Sequence, residues 1–400
     1  AAPIDLWINV PSCVPASPYD DSGAALDAAT VAELLPRRGV LGLAEMMNYP
    51  GTIAGDDECL AKLAAAAGRP RVGHAPGITG RQIMAYHLAG PDSDHECTRA
   101  AEALERLRAG AYLFIREGSA SRNLAALLPV VTPANSRRCC FCCDDIHSEE
   151  LLNQGHIDRI VRQAIAAGLD AVTAIQMATL NTAERFGVAD RVGALLPGRQ
   201  ADLLLVDDLE TFRVREVWAR GRRVAADGEA LFDAPAVDDS ALRNTMAVAP
   251  FTTEAFAPRW AGGRARVIEV YDGLILTGAR ELEPRVVDGC LAADTERDLL
   301  LAASIERHQA SGAMGVGLVT GVGLKRGALA SSVGHDSHNL TVVGVSPTAM
   351  RRAVDAVVSA GGGLVAATDD AVLACLPLPL AGLMSDRPVG EVAAGCRALH

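Results

Sequence analysis

The chain has 400 residues, a formal net charge of −12 and hydrophobic side chains at half of its positions. This length predicts two or three domains with substantial cores. The acidic balance and the absence of a basic run exclude a surface built to bind nucleic acid or an anionic membrane. Four of the ten cysteines crowd into Cys139–Cys143. That is not the spacing of a secreted disulfide framework, so a cytoplasmic protein is expected.

The first 190 residues alternate short apolar strands with helices. The predicted strands are Ile4–Val10, Gly39–Met47, a segment from Arg71 to His74, a segment ending at His95, Ala111–Arg116 and Arg138–Cys143. The predicted helices are Asp57–Ala67, Gly80–Leu88, Thr98–Ala109, His156–Ala167 and Ala171–Thr179. This alternation is typical of a parallel sheet or barrel. A complete eightfold barrel needs about 250 residues, so a barrel without its first two βα units is expected, and the abrupt start predicts a fragment.

The rest of the chain has a different character. Arg191–Ala225 alternates short Val/Leu-rich strands with Pro-Gly, Asp-Asp and Arg-Gly turns, which predicts a small antiparallel β domain. A polar linker at Asp227–Asp239 precedes a further α/β region with a predicted helix at Thr348–Ala360. The expected fold class is therefore α/β, with an incomplete TIM-like hydrolase barrel over 1–190, a small β domain over 191–235 and a C-terminal α/β domain over 240–400.

Five residues with ligand or acid–base side chains lie at the ends of different predicted strands: Glu45, His74, His95, Glu117 and Asp144. The carboxyl ends of parallel strands meet at one rim of a barrel, where active sites are built. Imidazole and carboxylate groups bind Zn, Fe and Mn ions, and a carboxylate can also accept and return a proton. The pattern favours metal-assisted hydrolysis, although each residue alone is equally consistent with a cap or turn.

Lysine is scarce in this chain. A carboxylated lysine often bridges the two ions of binuclear barrel hydrolases, but only Lys62, in a predicted helix, and Lys325, far downstream, are present. Glu45 is therefore the candidate for any bridging anion.

Three other motifs have two readings each. Cys139–Cys143 contains Cys-x-x-Cys spacings, which indicate a redox pair or zinc, but buried strand packing is favoured. Gly315–Gly323 is glycine-rich like a phosphate loop but lacks the Lys-Ser/Thr of a P-loop, which favours a strand. Residues 335–339, HDSHN, form either a surface turn or a polar group that covers a substrate at the barrel mouth.

The chain also carries family motifs. They are GLAEMMNYPG (42–51), GHAPG (73–77), SDHE (93–96), IREGS (115–119), CCDD (142–145), PGRQADLLLVDD (197–208) and HDSHN (335–339). In this order they resemble the microbial adenine deaminases of the amidohydrolase superfamily, over essentially the whole chain. The resemblance implies that the six strands are the third to eighth of the barrel and that the last domain is of the adenine deaminase C-terminal type.

The resemblance also implies a ligand set. Glu45 would be the bridging ligand, His74 and His95 would be the ligands on the next two strands, and Asp144 would be the last ligand and the proton shuttle. The metal would be a divalent pair, Mn(II) or Fe(II), with Zn(II) as an alternative. Cys143 stands where the family has threonine, a tolerable exchange because Asp144 is retained.

The implied reaction is the hydrolysis of adenine to hypoxanthine and ammonia in purine salvage. Metal-held hydroxide would attack C6 while Asp144 moves the proton, and Glu96 or Glu117 would act on a ring nitrogen. Substrate contacts are expected from four residues: Arg116, Ser119, Asp145 and His338. The partner is a small molecule, with no nucleic acid or membrane involved, and a homo-oligomer is expected.

One family feature has no counterpart in the sequence. The family's first strand carries a His-x-His pair, and no such pair precedes His74. The chain is therefore expected to lack two ligands, so activity is expected of the parent protein and is left open for the fragment. The alternatives are another cyclic-amide or aminopurine amidohydrolase, and a truncated remnant without catalysis.

Overall fold

The computed structural model describes residues 3–273 and 276–399, which form two compact units. The described part of the first unit comprises residues 3–17, 25–146 and 154–236, and that of the second comprises 18–24, 147–153, 237–273 and 276–399. Within the described residues, no helix has the length and apolar character needed to cross a membrane.

The first unit is built on short parallel strands. They are β1 (Ile8–Val10), β2 (Val40–Met46), β3 (Arg71–Gly73), β4 (Ser93–Asp94), β5 (Tyr112–Arg116) and β6 (Cys139–Cys142). They pair in chain order as two three-stranded sheets, β1-β2-β3 and β4-β5-β6. All six predicted strands are present, the first only over the last three of its seven predicted residues. Their parallel pairing places the carboxyl ends of each sheet on one side.

The two sheets meet along a seam between β3 and β4. The Asp92 N–H donates to the Arg71 carbonyl at 3.0 Å. A Cβ atom on Gly73 would lie 2.1 Å from the Ser93 carbonyl oxygen, so glycine is required for this close approach. Each sheet packs against its own buried apolar cluster, one containing Leu43 and the other containing Ile115.

Helices follow the strands. Up to residue 185 they are α1 (Ala28–Leu34), α2 (Tyr49–Ala54), α3 (Asp57–Ala65), α4 (Arg81–Ala89), α5 (Ala100–Arg108), α6 (Leu124–Leu127), α7 (Ser148–Gln154), α8 (Ile157–Ala166), α9 (Ala171–Ala178) and α10 (Leu180–Arg185). The five predicted helices are confirmed to within two residues at each end. The other five helices, α1, α2, α6, α7 and α10, were not predicted, although the Asp27 carboxylate accepts the Thr30 N–H as the N-cap of α1. Helix α7 lies almost entirely in the second unit.

A small antiparallel sheet closes the first unit. Its strands are β7 (Leu203–Val206), β8 (Val214–Ala219), β9 (Arg222–Ala226) and β10 (Glu229–Ala230), in the order β10-β9-β8-β7. The Pro-Gly turn of the sequence precedes β7, the Asp-Asp turn follows β7, and the Arg-Gly turn separates β8 from β9.

The second unit is centred on a mixed eight-stranded sheet. Its strands and helices are β11 (Ala265–Glu269), β12 (Gly278–Leu282), β13 (Arg285–Val287), β14 (Cys290–Ala292), β15 (Leu300–Ile305), β16 (Met314–Thr320), β17 (Ala328–Ser331), β18 (Leu340–Gly344), α11 (Pro347–Ser359), β19 (Gly363–Ala367), β20 (Val372–Pro377) and α12 (Val389–Leu399). The sheet order is β12-β11-β16-β15-β18-β17-β19-β20, and β13 pairs with β14. Helix α11 buries Met350, Val354 and Val357 in the unit's apolar core, which confirms the helix predicted at Thr348–Ala360.

The structure separates the two readings of the glycine-rich and cysteine-rich motifs. The Gly321 and Gly323 N–H groups donate to the Asp298 carboxylate at 2.7 Å each. The amides that could hold a phosphate are therefore already bonded, and the segment before them is strand β16. Cys139 and Cys140 are fully buried in β6 as free thiols, which favours strand packing there.

Candidate metal centre

Three consecutive strands direct ligand side chains to one point. Glu45 lies near the end of β2, His74 directly follows β3, and His95 directly follows β4. The Glu45 Oε2 atom lies 3.1 Å from His74 Nδ1 and 2.9 Å from His95 Nε2. The two imidazole rings are in edge contact, with centroids 5.5 Å apart. The convergence expected from the strand ends is thus present.

This donor set fits a divalent metal ion. The three ligand atoms lie within 4.8 Å of one another. Neighbouring ligands at about 2.1 Å from a common ion are separated by about 3.0–3.4 Å, which is close to the two contacts of 3.1 and 2.9 Å to Glu45. Two imidazole nitrogens and one carboxylate oxygen are suitable for Zn, Fe or Mn.

The charges of the cluster also favour a cation. Burial opposes ionisation of Glu45, but hydrogen bonds from His74 and His95 outweigh it and hold the pKa of Glu45 well below its usual range. Burial likewise disfavours a charged His95, yet the hydrogen bond to Glu45 and the charges of Glu45, Glu96 and Asp94 raise the pKa of His95 to about 8. In the apo protein a proton on His95 therefore partly balances the carboxylates, and a bound ion would replace it.

A second group adjoins the first. His95, Glu96 and Asp144 also have ligand atoms within 4.8 Å of one another, with His95 Nε2 3.4 Å from Glu96 Oε1. Arg116 Nη1 donates to Glu96 Oε1 at 2.5 Å and to Asp144 Oδ2 at 2.6 Å. Arg116 and Glu96 are buried, whereas the Asp144 side chain is 32% exposed. Asp144 is therefore the carboxylate of this group that solvent can reach.

The backbone turn after β6 presents Asp144. Its φ of 55° lies in the left-handed region, which aspartate tolerates better than most residues. Its Oδ1 atom accepts the Asp145 N–H at 2.8 Å. A Cβ atom on Gly118 would meet the Cys143 and Asp145 carbonyl oxygens at 2.3 and 2.6 Å, so the loop after β5 packs closely against this turn.

The structure places the other predicted site residues as follows. The Glu117 carboxylate accepts the Leu124 N–H at 2.9 Å at the start of α6, and Glu117 belongs to neither ligand group of the described residues. The Ser119 N–H donates to the Asp145 carbonyl at 2.9 Å. Arg116 is 2% exposed and bonds two carboxylates, which favours positioning over direct contact with a substrate. His338 lies in the second unit, and its role stays a prediction.

Three buried residues beside the ligands were not predicted as site residues: Tyr86, Asp94 and Arg106. Tyr86 Oη accepts the His74 N–H at 2.9 Å and donates to the Met46 carbonyl at 2.8 Å. Only Asp94 had a local signal, since a carboxylate directly before a strand-end histidine can accept nearby N–H groups. Tyr86 and Arg106 reach the site from helices α4 and α5.

Comparison with known proteins agrees with the two units. Residues 1–224 match the amidohydrolase family, and residues 274–400 match the adenine deaminase C-terminal domain. The adenine deaminase of Nitratidesulfovibrio vulgaris strain Hildenborough is 47% identical over 395 residues, covering 98% of this chain and 68% of that protein. Adenine deaminase 2 of Carboxydothermus hydrogenoformans is 45% identical over 398 residues, covering 100% of this chain and 70% of that protein.

A solved structure, N-acetyl-D-glucosamine-6-phosphate deacetylase from Mycobacterium smegmatis, has a TM-score of 0.40 at 18% identity, covering 52% of this chain and 65% of that one. That similarity is too low to add to the assignment, which follows from the family matches and the identities to the relatives. The chain therefore belongs to the adenine deaminase family of the amidohydrolases.

Proposed function

We propose that this chain hydrolyses adenine to hypoxanthine and ammonia. The observation that carries the proposal is its 47% identity, over 98% of its length, to a relative named adenine deaminase. The clustered donors Glu45, His74 and His95 support it, because hydrolytic deamination needs a polarised water molecule. In this proposal residues 1–190 supply strands three to eight of the barrel, 191–235 the small β domain, and 240–400 the C-terminal domain.

The metal site would be formed at the strand ends. Glu45, His74 and His95 would hold one divalent ion, and His95, Glu96 and Asp144 offer donors toward a second. We favour Mn(II) or Fe(II), and we keep Glu45 as the bridging ligand that the family resemblance implies. Its Oε2 atom contacts both imidazoles, and His95 is the residue common to the two donor groups. When bound, such an ion lowers the pKa of water, so that a nucleophile exists at neutral pH.

Side chains of this chain then transfer the protons of the reaction. Asp144, the exposed carboxylate of the cluster, accepts the proton of the attacking water and returns it to the departing amine. The C6–O bond forms while the C6–N1 double bond becomes a single bond, and the bond from C6 to the amino nitrogen breaks afterwards, so that ammonia leaves. The second proton of the water ends on N1, and the oxygen stays on C6 as the carbonyl of hypoxanthine. Glu96, held by Arg116, is placed to hydrogen-bond a ring nitrogen. Glu117 is less suitable because its carboxylate already accepts the Leu124 N–H.

The test is ammonia and hypoxanthine formation from adenine by the 400-residue chain after loading with Mn(II) or Fe(II). We expect Asp144→Asn to lower turnover by about 10²–10⁴-fold, the usual contribution of a general acid–base. The ion held by Glu45, His74 and His95 should be retained, because these three ligands remain. Ammonia is measured by a coupled assay and metal content by elemental analysis.

The Nitratidesulfovibrio vulgaris relative is the positive control. Adenine turnover by the relative but not by the loaded chain would contradict the proposal for this chain. Unchanged turnover in Asp144→Asn would contradict the assigned proton shuttle. Hydrolysis of another aminopurine or cyclic amide in preference to adenine would establish the alternative substrate class.

A further inference from the structure

A fully buried ion pair adjoins the loops that carry His74 and His95 in the candidate metal centre. The side chains of Asp94, at the end of β4, and Arg106, in α5, are both 0% exposed, and Arg106 Nε donates to Asp94 Oδ2 at 2.9 Å. Moving two charges from water into the protein interior costs free energy, so a buried ion pair alone does not indicate that the folded state is more stable. Its remaining hydrogen bonds therefore indicate what the pair does.

Those hydrogen bonds go to the two loops that carry the histidines. Asp94 Oδ1 accepts the Ala75 N–H at 3.3 Å and the Glu96 N–H at 3.0 Å. Ala75 directly follows His74, and Glu96 directly follows His95. One carboxylate oxygen thus fixes the backbone next to both imidazoles.

The arginine completes the attachment from the other side. Arg106 Nη2 donates to the Ala75 carbonyl and Nη1 to the Ile78 carbonyl, both at 2.8 Å. Both polar backbone groups of Ala75 are therefore bonded to the pair. Arg106 and Asp94 belong to the β4-β5-β6 side of the seam, whereas Ala75 and Ile78 belong to the apolar cluster of the β1-β2-β3 side.

We propose that Asp94 and Arg106 are positioning residues that lock the His74 and His95 loops to each other across the seam and so preset the spacing of the two imidazoles. Among the described residues, the hydrogen bonds of the pair go to the backbone beside the ligands, so the effect passes through the backbone of Ala75 and Glu96. The planar guanidinium is required because it bonds one carboxylate and two carbonyls at once, which an ammonium group cannot do in the same geometry. We refer to the pair and its four backbone bonds as the clamp.

The inference rests on the proposed metal site, but its first test needs no metal. Hydrogen exchange of the apo protein, followed by mass spectrometry, reports the Ala75 and Glu96 N–H groups in peptides spanning 72–80 and 93–98. We expect Arg106→Lys to raise exchange in both peptides together by at least about tenfold, because local opening of a loop exposes its amides. Asp94→Asn, which preserves the shape of the side chain, should have the same effect. It keeps the test valid if Arg106→Lys fails to fold.

The second readout is the affinity for Co(II) alone, measured by its absorbance. Loss of a group that orients metal ligands weakens binding by about 10–100-fold, and we expect that range for both clamp variants. Arg185→Lys is the matched control. Arg185 is a buried arginine that bonds Asp92 and Ser93 Oγ at the opposite end of β3 and β4, so its replacement should change neither readout.

Three outcomes would overturn the clamp. They are exchange that rises in only one of the two peptides, Co(II) affinity that is unchanged in both clamp variants, and equal effects in Arg185→Lys. Failure of the unaltered chain to bind Co(II) would instead count against the proposed function, while coupled exchange in the two loops would still support the clamp.

Discussion

In the first unit the buried arginines Arg106 and Arg116 donate to carboxylates beside the candidate metal centre. In the second unit the buried Arg307 donates to uncharged groups among the residues that the structure describes. Its partners are the His338 carbonyl at 2.6 Å, the Ala381 carbonyl at 3.1 Å and a methionine sulfur at 3.5 Å. The second unit uses buried charge to fix backbone turns. In the first unit Arg106 also fixes backbone carbonyls, but both Arg106 and Arg116 in addition hold charged side chains.

The largest contrast should come from removing one arginine from each unit. Arg116→Met leaves the carboxylates of Glu96 and Asp144 without their shared donor, and breaking a buried pair costs about 3–5 kcal/mol. Arg307→Met leaves two carbonyls unbonded, and we expect a smaller loss of about 1–3 kcal/mol. Hydrogen exchange in each unit gives the two free energies of opening. Equal losses would mean that the carboxylates do not depend on Arg116.

In each unit a buried hydroxyl group bridges a backbone N–H and a backbone carbonyl. Tyr86 Oη joins the His74 N–H to the Met46 carbonyl, and Ser332 Oγ joins the Gly363 N–H to the Gly382 carbonyl at 2.8 and 2.5 Å. We expect Tyr86→Phe and Ser332→Ala each to destabilise the protein by about 1–3 kcal/mol, because a buried N–H and C=O lose their partner.

Only Tyr86→Phe should also weaken Co(II) binding, because only that bridge adjoins a ligand. Urea unfolding and Co(II) titration of both variants test this. Weaker binding in Ser332→Ala, or unaltered binding in Tyr86→Phe, would contradict the distinction.

The smallest effect concerns acid stability of the second unit. Burial alone would raise the pKa of Glu306, but N–H donors from Ser311, Gln309 and His308 outweigh it and lower that pKa. The unfolded chain therefore binds a proton more readily than the folded one. The stabilisation is complete above the ordinary glutamate pKa of about 4.3 and is lost as the pH falls through the folded value.

Glu306→Gln should accordingly reduce the acid sensitivity of the second unit. Exchange measured between pH 3 and pH 6 checks the slope in each unit. A slope that changes in the first unit instead would show that Glu306 acts on a different region.

The sequence predicted the strand ends well because local patterns encode them. A short apolar run followed by histidine or a carboxylate fixes where a strand stops, and the shared direction of the strands then brings Glu45, His74 and His95 together. The same reasoning assigned Arg116 and Glu117 to the substrate. The sequence does not reveal that Arg116 donates to the carboxylates of Glu96 and Asp144, or that Glu117 accepts an N–H at the start of α6. The direction of a side chain depends on neighbours that are distant in sequence.

The clamp was unpredictable for the same reason. Arg106 reaches back 28 residues to the Ile78 carbonyl and 31 residues to that of Ala75. No periodicity within α5 distinguishes an arginine aimed into the interior from one that faces solvent. Burial of the whole charged group, which only the fold shows, is what separates the two.

The seam between β3 and β4 has a mechanical consequence. Glu45 and His74 reach the candidate metal centre from one sheet, and His95 reaches it from the other. An ion that binds all three would therefore cross-link two sheets that have separate apolar cores. A ligand at 100 times its Kd stabilises the folded state by about 2.7 kcal/mol. The free energy needed to separate the two sheets therefore depends on the concentration of the metal ion. Removal of the ion by a chelator should then separate the two sheets at the seam between β3 and β4 before the whole unit unfolds.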